Sequence, residues 1–402
     1  MTHTHYRVIE GRSPGFFALL GLFGLLMLAG LASAWYMEHN GHWVTGMTNR
    51  IVWGVPHVFA VFLIVAASGA LNIASIASVF GRQLYKPLAR LSGLLAIALL
   101  AGGLIVLVLD LGRPERLIVA MTHYNFKSIF AWNILLYNGF FVIVAVYLWM
   151  MIERRMNNYS KPVGLFAFIW RLILTTGTGS IFGFLVARQA YDSALLAPMF
   201  IIMSFAFGLA IFLLLLLAAY QWTQRPLGDV VLVRLKNLLG VFVAAVMYFV
   251  LVYHLTHLYI ARHHDIERFI LVDGGIYTAL FWFGQILIGG IVPLVLLFHP
   301  GLSRSRVSIA LAALCVIVGG LIQIYVLIIG GQAYPQLMFP DKEVTSSLIG
   351  GVAAYSPSLP EALLGIGGVA LALALTTVAL KVLPFLPQSL TDADVDPLHA
   401  AA

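Results

Sequence analysis

The chain has 402 residues, 61% of them hydrophobic and 10% charged, with a mean hydropathy of +0.97. Soluble domains carry about a quarter charged residues, so this composition excludes a soluble globular protein and implies one that crosses a membrane many times. The formal net charge of +7 is scattered through loops, which suits anionic lipid headgroups and argues against nucleic acid.

About ten apolar stretches follow one another, each near the roughly 20 residues that a helix needs to cross a bilayer. They cover approximately 14–36, 52–80, 88–110, 128–152, 164–187, 195–222, 233–261, 272–298, 305–330 and 361–386. The first ends in Leu31-Ala32-Ser33-Ala34, which resembles a signal-peptide cleavage site. It is longer than the ~7–15 residues of a signal-peptide core, so it reads as a retained anchor helix. The second opens with Trp53-Gly54-Val55-Pro56-His57. Pro56 falls in a first turn, where its missing N–H costs little, and His57 then lies just inside the apolar layer. A neutral imidazole at that depth can bond a ligand oxygen and relay a proton, or simply satisfy a neighbouring carbonyl.

The third span ends in Asp110-Leu111-Gly112-Arg113-Pro114-Glu115-Arg116. Gly112 and Pro114 stop the helix, and Asp110 and Arg113 are spaced to pair across one turn. That segment reads as a charged rim, either structural or facing a partner or a pocket mouth. The fourth span opens with Ser128, Trp132 and Asn133, an interfacial anchor beside an amide inside the membrane. The fifth carries Thr175-Thr176-Gly177-Thr178-Gly179-Ser180, a small-residue face for close helix packing, with Arg188 just beyond. The seventh carries His254 and His257, with Asp273, Gln285, Gln323 and Tyr325 as expected neighbours. Two readings of that pair stand: a proton relay, and bis-histidine ligation of a b-type haem. The only cysteine, Cys315, cannot hold an iron–sulfur cluster or covalent haem on its own. A loop of roughly 331–360 precedes the last span, and a short acidic tail, 388–402, follows it.

An even span number puts both termini on one side. That side then collects 15 basic residues, Arg171 and Arg225 among them, against eight opposite, accounting for all 23. The bias places both termini in the cytoplasm. A repeat supports the count. Glu115-Arg116, Trp132 and Gly139 recur as Glu267-Arg268, Trp282 and Gly289, about 150 residues later. An offset of four spans preserves orientation, so the expected architecture is an all-α membrane domain. It has two parallel-related four-helix bundles, helices 2–5 (52–187) and 6–9 (195–330), flanked by helices 1 and 10.

Trp53-Gly54, Asp110-Leu111-Gly112-Arg113-Pro114, Ser128 with Trp132, and Pro198…Ser204…Gly208 occur here in the order that marks the NrfD/PsrC family, the polysulfide reductase membrane subunits. Tyr355-Ser356-Pro357…Glu361 and Leu383-Pro384-Phe385-Leu386-Pro387 resemble the closing motifs of its ten-span branch, and Ile51 to Asn72 resembles DsrP-type subunits tied to dissimilatory sulfur metabolism. The resemblance covers nearly the whole sequence. It implies a quinone-interacting anchor of a respiratory oxidoreductase in the inner membrane, binding menaquinone or ubiquinone non-covalently, with no haem or iron–sulfur cluster of its own. Implied partners are a periplasmic, ferredoxin-like iron–sulfur subunit and further membrane and cytochrome subunits of the complex. The quinone pocket falls at His57, with Asn133, Arg188 and Trp132 as further contacts. Asp110, Arg113, Arg116 and Ser128 form its rim, and His254, His257, Asp273, Gln285 and Gln323 a proton relay. A cytochrome and a secondary transporter are the alternatives. Transport fits less well, because transporters bind at the midplane while these polar residues gather near one face.

Overall fold

A computed structural model describes residues 5–10, 13–336 and 350–395. Among them ten helices are long and apolar enough to cross a membrane, matching the ten expected spans. These are α1 (Pro14–Asn40), α2 (Val55–Ser78), α3 (Gln83–Leu109), α4 (Ile129–Ile152), α5 (Arg155–Gly183), α6 (Leu196–Thr223), α7 (Asp229–Tyr259), α8 (Ile276–Phe298), α9 (Arg306–Ala333) and α10 (Leu359–Val382). Residues 337–349 of the expected long loop and the end of the acidic tail, 396–402, lie outside the described residues. Two short segments near the ends pair as a two-stranded antiparallel ribbon, β1 (Tyr6–Arg7) with β2 (Leu386–Pro387). Arg225 secures it by donating to the carbonyls of Arg7, Val8, Leu386 and Pro387. The two ribbon segments therefore share one side, hereafter the terminal side; the opposite one is the far side.

Helices α2 to α5 close a ring through contacts α2–α3, α3–α4, α4–α5 and α5–α2, and α6 to α9 close a second in the same way. The rings meet where α2 lies against α6 and α9 and where α5 packs on α6, while α10 packs on α2 and α3 and carries α1 on its outer side. The α2–α6 crossing is a backbone contact. A Cβ on Gly69 would fall inside the Ser204 carbonyl, and one on Gly208 would strike the backbone at Gly69 and Ala70. Small residues permit such approach in a bilayer, where apolar packing has no solvent to exclude. The small-residue face of α5 behaves similarly: Ser68 of α2 hydrogen-bonds Thr175 at 2.7 Å, and Gly179 abuts the Leu196 backbone.

Arg171 departs from its expected place. It sits in the middle of α5, 1% exposed, rather than at the terminal surface. Its Nη1 donates to the Ser68 carbonyl, and Phe168 and Phe205 cover the guanidinium. A lone cation in an apolar run reads like an interfacial residue, because nothing local announces a buried acceptor on another helix.

Candidate functional site

The far-side entrance of α2 is held by three side chains. Gln332, at the end of α9, accepts from the Val52 and Trp53 amides and donates back to the Trp53 carbonyl. Arg188 donates one arm of its fork to the Gln332 carbonyl at 3.0 Å and the other to the Arg50 carbonyl at 2.8 Å. Burial lowers its pKa from the ordinary arginine value. Tyr355 accepts from the Val55 amide and donates to Glu361. Glu361 also accepts from the Gly46 and Ser358 amides, which accounts for a carboxylate that is 0% exposed. Trp53, fixed this way, packs its ring near Phe130, Phe182, Tyr191 and His57.

Pro56 occupies the first turn of α2, as its ring geometry favours. One residue on, His57 places Nδ1 2.7 Å from Oδ2 of Asp110. The approach is off the ring N–H direction, and neither buried Asp110 oxygen has a hydrogen-bond partner. The Asp110 side chain is 1% exposed and that of His57 18%. The expected Asp110–Arg113 pair does not form. Helix α3 ends at Leu109, and Arg113 leaves helical geometry at φ −147° and is exposed, while Asp110 turns inward to the histidine. A buried carboxylate without donors costs about 1–3 kcal/mol or more, so these oxygens are primed for a polar atom that approaches them.

The remaining predicted contacts are satisfied elsewhere. Asn133, 2% exposed, donates to the Ile129 and Gly177 carbonyls and joins α4 to α5. Trp132 is 46% exposed and donates to the Phe126 carbonyl. Trp282, its counterpart in the repeat, donates likewise to Leu271. Ser128 caps α4 by position, without a side-chain bond, and Arg116 is exposed. His57, Asp110 and Trp53 thus come together, Arg188 holds the entrance of α2, Asn133 ties α4 to α5, and Trp132 fastens the loop at Phe126.

A second polar cluster lies on the far side of the second ring. Its centre is Glu267, which in the sequence stands out only as a repeat marker. His254 Nδ1 lies 2.7 Å from one carboxylate oxygen and His257 Nδ1 3.1 Å from the other. Burial raises the Glu267 pKa, but the hydrogen bond from His254 and the close approach of His257 outweigh it and hold the carboxyl below its ordinary value. His263 stacks beside His257 with ring centres 4.4 Å apart. Gln285 and Gln323 line two small cavities of about 40 and 20 Å³, the larger of which also touches His254 and Glu267. Each has room for one or a few waters, and Gln323 Nε2, buried, lacks a partner. Wide π-helical turns at Phe269–Asp273, Leu280–Ile291 and Val326–Gly330 surround this region; such turns recur at functional sites. Asp273 stands apart, half-exposed and paired with Arg268.

Residues 43–336 match the family described as polysulphide reductase, NrfD. The chain belongs to the NrfD family. This NrfD protein is 28% identical over 395 residues to the Hdr-like menaquinol oxidoreductase integral membrane subunit of Archaeoglobus fulgidus, covering 97% of this chain and 99% of the relative. It is 22% identical to the menaquinone reductase integral membrane subunit of Nitratidesulfovibrio vulgaris, with 89% of each covered. The C subunit of polysulfide reductase from Wolinella succinogenes is 24% identical, over 71% of this protein and 96% of its own length.

Proposed function

We propose that this protein is the quinol-interacting membrane anchor of a multi-subunit respiratory oxidoreductase. In this reading the quinone ring sits against His57 and Asp110, and electrons pass to an iron–sulfur subunit docked on the far, periplasmic face. The observation that carries it is the buried His57–Asp110 contact with both carboxylate oxygens unpartnered, beside the aromatic wall at Trp53. These residues fit the group: an apolar ring needs the wall, and its oxygens need a donor and a proton acceptor. Bound quinol would supply two electrons and two protons. His57 orients the oxygen and takes its proton, and Asp110 stabilises the imidazolium that results. Names support the reading, since two of the relatives are named for menaquinol or menaquinone chemistry. The relative named for polysulfide reduction, with the Ile51–Asn72 resemblance, supports a place in dissimilatory sulfur metabolism.

Exchanging His57 for Ala in the assembled complex is expected to lower quinol-dependent reduction of the partner about 10²–10⁴-fold, with subunit assembly intact. Unchanged turnover removes His57 from the site. For His254 and His257, engagement of both rings on one carboxylate supports a proton relay through Glu267, Gln285 and Gln323 over haem ligation.

A further inference from the structure

The connection between α5 and α6, residues 184–195, is irregular backbone held partly away from water: Ala190 is 7% and Tyr191 0% exposed. Backbone groups buried outside helices need partners supplied by the protein. Arg188 faces the α2 entrance, with its fork on the Gln332 and Arg50 carbonyls. The residues after it face the second ring. His263 meets the Gln189 carbonyl through Nδ1 at 2.9 Å; a carbonyl only accepts, so that nitrogen carries the proton. The Tyr253 hydroxyl donates to the Ala190 carbonyl. Tyr191 donates to the Ile328 carbonyl at 2.7 Å, in a π-helical turn of α9, and Asp192 pairs with Arg262.

Both side chains that donate to this segment belong to the second polar cluster. Tyr253 and His263 pack on the His257 ring, with ring centres 4.2 and 4.4 Å away. At the other end Tyr191 lies beside Trp53, 6.5 Å between ring centres, and Trp53 beside His57. The fit is close: a Cβ on Gly331 would fall 2.6 Å from the Tyr191 ring and 3.1 Å from Ala190 Cβ. Interiors packed this tightly transmit displacement instead of absorbing it. We infer that Tyr253 and His263 are positioning residues of the His57 site, acting through residues 188–191, so that the two rings form one functional unit. The inference rests on the reading of that site as a quinol site. Loss of either donor leaves a buried carbonyl unpartnered. The segment then shifts, and Arg188 and Tyr191 shift with it. Neither residue supplies the acid or base of the chemistry, so binding weakens while the chemical step is kept.

The test uses the assembled complex and a soluble quinol. Tyr253→Phe removes one hydroxyl and keeps the ring. It is expected to raise the KM for quinol about tenfold, the weight of one buried hydrogen bond, with kcat unchanged. It is also expected to shift Trp53 emission, read as the difference from Trp53→Phe. His263→Ala is expected to do the same. His263→Asn, whose Nδ2 stands as many bonds from the backbone as Nδ1, is expected to restore the native KM. Arg188→Lys combined with Tyr253→Phe is expected to raise KM no further than the larger single change, because both loosen one segment. A native KM in Tyr253→Phe, additive changes in the double variant, or a fall in thermal stability alone would overturn the inference. Should Tyr253→Phe fail to assemble, the two His263 variants decide. His57→Ala separates the two readings. If it loses turnover while Tyr253→Phe keeps the native KM, only the present inference falls. If it keeps full turnover, the quinol reading falls, and a Trp53 shift in Tyr253→Phe still upholds the link between the rings.

Discussion

The Asp110 carboxyl is 1% exposed and meets His57 Nδ1 at 2.7 Å without an aligned hydrogen bond. Such a group costs stability, so its amide isostere gives opposed signs in two measurements. Asp110→Asn is expected to raise the thermal stability of the purified protein while lowering quinol turnover at least tenfold; a fall in both would mean that the carboxylate serves packing alone. Arg188 acts one step back, through Gln332 and Arg50. A lysine keeps the charge but cannot reach two carbonyls with a planar fork. Arg188→Lys is therefore expected to destabilise the α2 entrance by about 1–3 kcal/mol, seen as a shift in Trp53 fluorescence and a raised KM. His57 and Asp110 were each legible in the sequence as polar residues at span ends. Their pairing was not, because it depends on where α3 stops and which way the next residue turns. Arg113, three residues on, offered the nearer partner by spacing alone.

Helices were more legible than the contacts between them. The ten spans follow from runs of apolar residues, which the bilayer requires independently of tertiary structure. The short segment His264–Arg268, which folds Glu267 back under α7, reads as loop because five residues are too few to show a period. Its carboxyl is held below the value near ~4.3 of the unfolded state. The folded state thus binds that proton less readily, and the stability gained is complete above the unfolded value and lost as pH falls through the lower folded one. Thermal unfolding followed through the acid range is expected to show that loss in the native protein and not in Glu267→Gln. At the α2–α6 crossing, Gly69→Ala sets a methyl into the Ser204 carbonyl. Separating the two helices costs about 1–3 kcal/mol or more, and reduced yield of folded protein after detergent extraction would report it. The glycines were visible in the sequence, but which pair touches is a matter of helix register.

Over the whole molecule, the two rings and their flanking helices place the His57–Asp110 and Glu267 clusters near one face and leave an apolar cleft of about 1470 Å³ at the other. The span count was more legible than the site, since apolar run length fixes which segments can cross a bilayer and says little about individual side chains. One contact joins spans far apart in sequence: α1 packs against α10, with Gly30 and Gly367 meeting backbone to backbone. Of the ten described spans, α1 therefore waits in the bilayer without its main packing partner until α10 has been synthesised. A message cut short anywhere upstream of α10 strands that opening segment, and with it goes the terminal ribbon. Products truncated before α10 are expected to be less stable in the membrane than the full 402-residue sequence, which pulse-chase of the two would report.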